Sequence, residues 1–284
     1  MKIAVIQMVS GSDVQTNLKR ARSLLESAAS QGAELAVLPE YFCLMGHADA
    51  DKLAIGESFG SGPLQQFLSD SARELGLWLV GGTLPLTDSG VAGVSATAHT
   101  TDRVSNSSLV FSPTGTCVAR YNKIHLFRFD NGRERYDESL VLTAGHEPVS
   151  FDLPSKDGHT WRIGLSVCYD LRFAELYRAY AQAGAHLLLV PSAFTYTTGH
   201  DHWEVLLRAR AIENLAFVAA AAQGGLHDNQ RRTWGHAMTV DPWGIVLAQH
   251  AEGEAVVVSE LEFANLTACR TRLPALQHCV LGLG

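Results

Sequence analysis

The sequence predicts an α/β fold in which strands and helices alternate. Apolar, β-branched runs at residues 2–8 and 34–38 predict strands, and a helical periodicity of apolar residues fills the interval 13–32 between them. A second helical pattern covers residues 63–75, and a third apolar run covers residues 78–84. This order is typical of a parallel sheet whose strands are joined by crossover helices.

The middle of the chain predicts an antiparallel addition to this sheet. Residues 85–108 are rich in Ser, Thr and Gly and weakly periodic, which indicates a loop. Residues 109–111 and 117–122 flank the turn sequence Ser-Pro-Thr-Gly, so we expect a hairpin there.

The second half of the chain repeats the alternation. Apolar runs predict strands at residues 163–167, 186–190, 217–222, 237–240 and 255–261, and helical periodicity predicts helices at residues 173–184 and 203–215. No linker, composition break or low-complexity segment separates the two halves, which favours one domain.

Composition excludes several classes of protein. The chain has 284 residues, 46% of them hydrophobic and 18% charged, as in globular proteins. A net charge of -7, without any run of Lys or Arg, offers no basic face, so nucleic acid is not an expected partner. The apolar run at the start is too short for a signal segment or a membrane span, so we expect a cytoplasmic protein without a membrane partner.

Cysteine usage argues against a disulfide framework or a structural zinc cluster. The number of cysteines is odd and no CxxC pair occurs, so at least one thiol is expected to be free. The cysteines are at positions 43, 117, 168, 269 and 279.

Two reactive side chains directly follow predicted buried strands. Cys168 ends the run IGLSVC and Glu40 ends the run AELAVLPE. Open α/β sheets present ligand-binding groups at the carboxyl ends of their strands, so the two side chains are expected at one edge. A thiol there can act as a nucleophile and a carboxylate as its base. The alternatives are a buried small side chain for Cys168 and a solvated acid for Glu40.

Lys123 lies in the apolar and aromatic stretch VARYNKIHLF. Burial of an ammonium group is costly unless a carboxylate or an oxyanion compensates it. A lysine beside Cys168 would lower the pKa of the thiol and stabilise an oxyanion. A lysine with an apolar stem and a solvated tip is the alternative.

As a set, these three motifs resemble the nitrilase, or carbon-nitrogen hydrolase, superfamily, whose catalytic Glu, Lys and Cys occur in this order. The resemblance extends from about residue 3 to 261, and it implies an αββα sandwich of two sheets over residues 1–262, with helices outside. It implies that Glu40 is the general base, Lys123 the cation beside the oxyanion, and Cys168 the nucleophile that forms a thioester. No metal and no cofactor are implied.

The resemblance also assigns residues around this set. Many members have a second glutamate that positions the lysine and the amide; Glu138 in RYDESLVLTAG matches it, with Glu134 as the neighbouring alternative. The positions that in this family flank the nucleophile or line the pocket are matched by Tyr169, Arg172, Phe194 and Thr195.

Within the superfamily, the stretches CYDLRFAELYRAYAQAGAHLLLVPSAF and GHAMTVDPWG resemble the Nit branch, the deaminated glutathione amidases first and the omega-amidases next. This implies hydrolysis of a small amide of the 2-oxoglutaramate type; N-carbamoyl amino acids and nitriles remain alternatives. Such amides carry carboxylates, and the loop FRFDNGRERYDES offers Arg128, Arg133 and Arg135 to bind them. Solvated loop charges are the alternative.

The resemblance implies a homodimer or a higher homo-oligomer, in which the helix at residues 203–215 and a C-terminal tail, residues 263–284, contact the partner.

Three rival hypotheses concern the chemistry. A non-catalytic binding protein could share this fold, and a redox sensor could use Cys43 as the cysteine that resolves an oxidised Cys168. His200, His202 and Glu204 form a grouping that suggests a metal site, but they lie near a predicted helix start without a further ligand motif, so we expect no metal. A helix-capping or interface role is the alternative.

Overall fold

The computed structural model describes residues 1–87 and 103–281. Within them the helices are α1 (Val14–Ser30), α2 (Asp51–Ala54), α3 (Pro63–Leu75), α4 (Ala174–Gln182), α5 (Tyr196–Asn214) and α6 (Phe263–Arg272). The strands of the first half are β1 (Lys2–Met8), β2 (Leu35–Val37), β3 (Glu57–Ser58), β4 (Trp78–Val80), β5 (Leu84–Thr87), β6 (Val104–Phe111), β7 (Cys117–Asn122), β8 (Arg128–Asp130), β9 (Arg135–Asp137) and β10 (Leu142–Thr143). Those of the second half are β11 (Ser150–Pro154), β12 (Thr160–Leu165), β13 (Leu187–Leu189), β14 (Phe217–Ala220), β15 (Ala222–Leu226), β16 (Arg232–Trp234), β17 (Ala237–Val240), β18 (Val246–His250) and β19 (Ala255–Glu260). None of these helices is both long and apolar enough to cross a membrane.

These strands form two large sheets and one small hairpin. The first sheet has the order β16-β15-β1-β2-β4-β6-β5-β3, with β19 also paired to β1, and β7 and β10 to β6. The second has the order β11-β12-β13-β14-β17-β18, and β8 pairs with β9 alone. The strands β1, β2 and β4 are parallel to one another, and so are β12, β13 and β14.

Strand β1 shows why two sheets stack with helices outside them. Successive side chains of a strand point to opposite faces. Ile3 and Val5 join the core that also contains Trp161 of the second sheet, whereas Ala4 and Ile6 join the core formed with α1 and α3. On the other side, α4 and α5 pack against the second sheet. The predicted αββα sandwich is therefore confirmed.

The run 78–84, predicted as one strand, divides into β4 and β5. Gly82 has a φ of 54°, and a Cβ atom there would lie 2.0 Å from the carbonyl oxygen of Pro39. The next residue, Thr83, accepts a hydrogen bond from the Tyr41 amide at 2.9 Å. The break between the strands therefore fixes the segment that carries Glu40.

The run 217–222, also predicted as one strand, belongs to two sheets. Residues Phe217–Ala220 form β14 in the second sheet, and Ala222 begins β15, which lies beside β1 in the first sheet. The sequence does not show this passage from one sheet to the other. Both strands are buried, so together they read as one unbroken apolar run.

Other predicted boundaries also change. Helix α5 begins at Tyr196 rather than at residue 203, because the Thr195 side chain caps it by accepting the Thr198 amide. In the predicted loop 85–108, residues 104–108 are part of β6, and residues 88–102 lie outside the described residues.

Helix α6 packs on its own chain, beyond the predicted boundary at residue 262. Leu266 and Cys269 are buried, and Arg270 donates a hydrogen bond to the Leu215 carbonyl at 2.9 Å. The contact of residues 263–284 with a partner subunit stays a prediction.

Replacement of Gly82 by Ala tests the break that positions Glu40. We expect a loss of about 3–5 kcal/mol in the free energy of unfolding, because strain at positive φ adds to a clash with the Pro39 carbonyl. Gly132→Ala is the control, since its φ is 80° and no atom lies within 4 Å of the added Cβ. It should lose only about 1–2 kcal/mol. Urea denaturation measures both, and equal losses would show that the contact with Pro39 is not tight.

Candidate active site

One cavity, with about 310 Å³ of empty space, brings together the reactive side chains that the sequence predicts. It lies where β2 and β12 end, and the Glu40, Glu138 and Cys168 side chains line it. Lys123 follows β7 and is fully buried against this wall. The three predicted motifs therefore meet at one cavity, although Glu40 and Lys123 follow strands of the first sheet and Cys168 follows a strand of the second.

Lys123 is the centre of the charged cluster. Its ammonium Nζ donates hydrogen bonds to Glu40 Oε1 at 3.0 Å and to the Glu138 carboxylate at 2.8 Å. An ammonium group has three N–H donors. Nζ lies 2.8 Å from both Glu138 oxygens and 3.0 Å from Glu40 Oε1, so its three donors face three carboxylate oxygens.

Glu40 is held from three sides. In addition to Lys123, Asn106 Nδ2 donates to its Oε1 at 2.9 Å and the Ala193 amide donates to its Oε2 at 2.9 Å. Its own carbonyl accepts a hydrogen bond from Gln223 Nε2 at 3.1 Å. The carboxylate is fixed in position without any need for solvent.

Glu138 is the second carboxylate of the cluster. It accepts hydrogen bonds from the Tyr41 hydroxyl at 2.8 Å and the Phe127 amide at 2.7 Å. Glu134 lies elsewhere and accepts a hydrogen bond from the Thr197 hydroxyl at 3.0 Å. Of the two glutamates that the sequence left open, the structure places Glu138 beside Lys123.

These charges stabilise one another inside the protein. Burial by itself lowers the pKa of Lys123, but Glu138 and Glu40 outweigh it and hold that pKa above its ordinary value. Burial by itself raises the pKa of Glu138, and Lys123 and three hydrogen bonds hold it below its ordinary value. The ammonium and the Glu138 carboxylate are thus charged at neutral pH.

Cys168 begins a 3₁₀ turn, Cys168–Arg172, directly after the second sheet. Its φ of 50° lies in the left-handed region, which costs a residue with a side chain about 1–3 kcal/mol. The Cys168 amide donates to the Pro191 carbonyl at 3.0 Å. The amide of the next residue, Tyr169, lies in the first turn, where backbone N–H groups have no partner within the turn. It is therefore free to donate a hydrogen bond to an oxyanion.

Lys123 lowers the pKa of Cys168, as expected, but the net shift of this pKa is upward. Burial raises the pKa of the thiol well above its ordinary value, and Glu40 raises it further through its charge and a hydrogen bond. Lys123 lowers it, but two carboxylates already neutralise that ammonium. The resting group is therefore a neutral thiol whose pKa the nearby Glu40 carboxylate raises.

Asp170 is a residue that the sequence analysis missed. Its fully buried carboxylate accepts hydrogen bonds from the Val167 amide at 2.8 Å, the Tyr121 hydroxyl at 2.7 Å and the His125 amide at 3.0 Å. It ties the Cys168 turn to the segment that carries Lys123. An acidic residue in the first turn after a strand is a capping signal and could have indicated it.

The four predicted pocket residues all line the cavity: Tyr169, Arg172, Phe194 and Thr195. Phe194 packs on Trp203 of α5 with ring centroids 4.9 Å apart. The Arg172 guanidinium lies over the Phe194 ring at 5.5 Å and contacts His202 Nδ1 at 3.2 Å.

The predicted loop arginines lie elsewhere. Arg128, Arg133 and Arg135 are exposed on the β8–β9 hairpin, and none of them lines the cavity. Arg231, which the sequence analysis missed, lines it instead, and its guanidinium lies 4.9 Å from the Tyr136 ring. Nothing in the local sequence distinguishes it from a loop arginine.

The structure also bears on the rival sites. Cys43 packs in the core with α1 and α3, in a different layer from Cys168, and burial raises the pKa of Cys43 to about 12. His200 contacts Asp201 at 2.6 Å, and in the described ranges no three His, Cys, Asp or Glu side chains form a cluster suited to a metal ion.

The carbon-nitrogen hydrolase family model matches residues 2–271. The chain is 37% identical over 279 residues to the deaminated glutathione amidase of Synechocystis sp. (strain PCC 6803 / GT-S), covering 98% of this chain and 97% of that protein. It is 38% identical over 283 residues to human omega-amidase NIT2, covering 98% and 94%.

A solved structure agrees with these two relatives. The crystal structure of Saccharomyces cerevisiae Nit3, a member of branch 10 of the nitrilase superfamily, superposes with a TM-score of 0.81. It is 30% identical, and the match covers 96% of this chain and 94% of that one.

The raised pKa of Cys168 predicts how iodoacetamide reacts with it. Alkylation should accelerate with pH and still rise at pH 9, because the thiolate forms only above the ordinary thiol pKa. Glu40→Gln removes a negative charge that raises this pKa, so the profile should move by about one pH unit or more to lower pH.

Mass spectrometry of the alkylated peptide measures the rate at Cys168 alone. Glu26→Gln is the control, because Glu26 is exposed and pairs with Arg22 on α1. An unchanged profile in Glu40→Gln, or a move to higher pH, would contradict the placement of Glu40 beside the thiol.

Proposed function

The chain belongs to the carbon-nitrogen hydrolase family and is a hydrolase acting on amides, and we propose that it hydrolyses deaminated glutathione to 2-oxoglutarate and cysteinylglycine through a thioester on Cys168. The observation that carries the proposal is a buried carboxylate hydrogen-bonded to a buried ammonium, with both charges acting on a thiol, at one cavity that also contains two arginines.

The first step forms the thioester. Glu40 takes the Sγ proton as the sulfur of Cys168 attacks the amide carbon. The carbonyl oxygen becomes an oxyanion, which the Lys123 ammonium and the Tyr169 amide stabilise. Glu40 returns its proton to the nitrogen as the C–N bond breaks, and the amine leaves.

The second step hydrolyses the thioester. Glu40 is again a carboxylate and takes a proton from a water molecule that attacks the thioester carbon. The same two donors stabilise the second oxyanion, and its collapse releases the acid while the proton returns to Sγ. Glu138 positions Lys123 throughout, since the two groups are 2.8 Å apart.

Two observations support a small anionic amide as the substrate. Arg172 and Arg231 offer guanidinium groups, which recognise carboxylates through paired hydrogen bonds. The relative from Synechocystis is named for deaminated glutathione.

Omega-amidase activity on 2-oxoglutaramate is the second candidate. The similarity to human omega-amidase NIT2 favours it to about the same degree. Both substrates have the same acyl group and differ in the amine that leaves, so the catalytic cluster serves both equally. A non-catalytic binding role has no comparable support, because the carboxylate of Glu40 and the ammonium of Lys123 are hydrogen-bonded and both act on the thiol.

The decisive assay is the release of 2-oxoglutarate from deaminated glutathione and from 2-oxoglutaramate. We expect turnover of both, with kcat/KM about tenfold or more higher for deaminated glutathione, which gains contacts from its larger leaving group. Cys168→Ala should abolish both activities. Cys279→Ala, at an exposed thiol, is the control and should retain them.

Two outcomes of this assay would change the proposal. A higher kcat/KM for 2-oxoglutaramate would establish the omega-amidase alternative. Absence of turnover with either substrate would refute both.

We also propose that the protein is a homodimer that works in the cytoplasm. Four exposed apolar side chains form a patch on α5 and the turn before β18: Val205, Ile212, Trp243 and Ile245. The two elements are adjacent, since Arg208 Nε donates to the Gly244 carbonyl at 2.8 Å. Exposed apolar patches of this kind favour subunit contacts.

The proposed location in the cytoplasm is supported by the five free cysteines, which fit a reducing compartment.

Light scattering at micromolar concentration tests the dimer. We expect twice the 30.7 kDa mass of one chain, and a shift toward the monomer in Val205→Glu, because a buried unpaired carboxylate is costly at an interface. Leu140→Glu, at an exposed apolar residue outside the patch, should leave the mass unchanged. A monomeric wild type would refute the proposal.

A further inference from the structure

We propose that Arg231 binds the carboxylate of the leaving group and thereby selects amides that release a carboxylate-bearing amine over amides that release ammonia. This inference rests on the proposed function and assigns its substrate selectivity to one residue.

The surroundings of Arg231 point to a missing anion. Its Nε atom is buried and makes no hydrogen bond in the part of the chain that the structure describes. The guanidinium also contacts the Tyr136 ring at 4.9 Å and the Met45 sulfur at 4.0 Å, and neither is charged. Asp49 is an acid whose pKa the Arg231 charge helps to lower, but Asp49 already pairs with Lys52 at 2.7 Å. A partly buried cation without a carboxylate of its own is costly unless a ligand supplies the anion. The cavity beside it is the place from which that ligand comes.

Arg172 and Arg231 belong to different parts of the cavity. Arg172 ends the turn that begins with Cys168, so it lies beside the acyl group while that group is bound to sulfur. Arg231 precedes β16 and lines the cavity together with Tyr41, the residue after Glu40. Glu40 is the group that returns the proton to the leaving nitrogen. We therefore assign Arg172 to the acyl side and Arg231 to the leaving-group side.

The two candidate substrates differ on the leaving-group side alone. Deaminated glutathione has one carboxylate in its acyl group and another at the end of its cysteinylglycine leaving group. 2-Oxoglutaramate has the first carboxylate but releases only ammonia. An arginine that binds the acyl carboxylate thus serves both substrates, whereas an arginine on the leaving-group side serves deaminated glutathione alone.

The test compares both substrates in Arg231→Gln. We expect kcat/KM for deaminated glutathione to fall roughly 30- to 100-fold, mainly through KM, as for the loss of a paired charge-assisted contact. The value for 2-oxoglutaramate should stay within about threefold of wild type, since the assignment gives Arg231 no contact with it.

Arg232→Gln is the matched control. Successive strand residues point to opposite faces, and Arg232 is exposed, pairs with Glu252 at 3.4 Å and does not line the cavity. It should behave as wild type with both substrates. Equal losses on both substrates in Arg231→Gln would show a structural role for Arg231, and no loss on either would show no role; both results would overturn the inference.

A second measurement does not depend on the proposed function. Iodoacetate and iodoacetamide both alkylate Cys168, and only iodoacetate carries a carboxylate. The ratio of their alkylation rates should fall at least about threefold in Arg231→Gln relative to Arg232→Gln, because an attractive cation is lost. If wild type turns over neither amide, the proposed function fails, but a lower ratio still supports an anion site at Arg231. An unchanged ratio would overturn that site.

Discussion

The burial of one ammonium group, that of Lys123, constrains the whole active site. An unpaired ammonium in this position would cost several kcal/mol, and the Glu40 and Glu138 carboxylates compensate it only because both lie within 3.0 Å of Nζ. The three groups come from segments that are far apart in sequence. The first sheet must therefore bring the ends of β2 and β7 together before any chemistry is possible. Loss of either carboxylate would leave the buried ammonium only partly compensated, so the cluster is as much a condition of the fold as of catalysis.

The same cluster decides the resting state of Cys168. Two carboxylates surround Lys123, so little of its positive charge is left to stabilise a thiolate, and the pKa of the thiol rises. A neutral thiol suits an enzyme whose base touches the nucleophile, because the proton then moves only when a substrate carbonyl is present to be attacked. It also limits oxidation, which proceeds through the thiolate. The thiol is thus weakly reactive at rest, and it becomes a strong nucleophile when a correctly placed amide is bound.

The two-sheet architecture supplies the rest of the pocket. At Ala221 the chain passes from the second sheet to the first, and this transfer brings Gln223 to the Glu40 carbonyl and places the β15–β16 hairpin beside the cavity. Arg231 reaches the pocket from that hairpin, whereas Arg172 reaches it from the nucleophile turn. The walls that recognise a substrate therefore come from segments other than those that carry the base and the cation. This separation allows substrate selectivity to change while the catalytic cluster is kept.

The sequence by itself determined the α/β alternation and the three reactive residues, because apolar periodicity and a charged or nucleophilic residue at a strand end are local signals. Resemblance to a known family added Glu138 and the αββα arrangement. Only the tertiary structure decided that Arg231, rather than the loop arginines near Arg128, lines the cavity. The same holds for the break at Gly82, the transfer at Ala221 and the direction of the Cys168 pKa shift. Each of these depends on contacts between atoms of distant segments. The local sequence pattern does not show which side chains come into contact at these positions or how deeply they are buried.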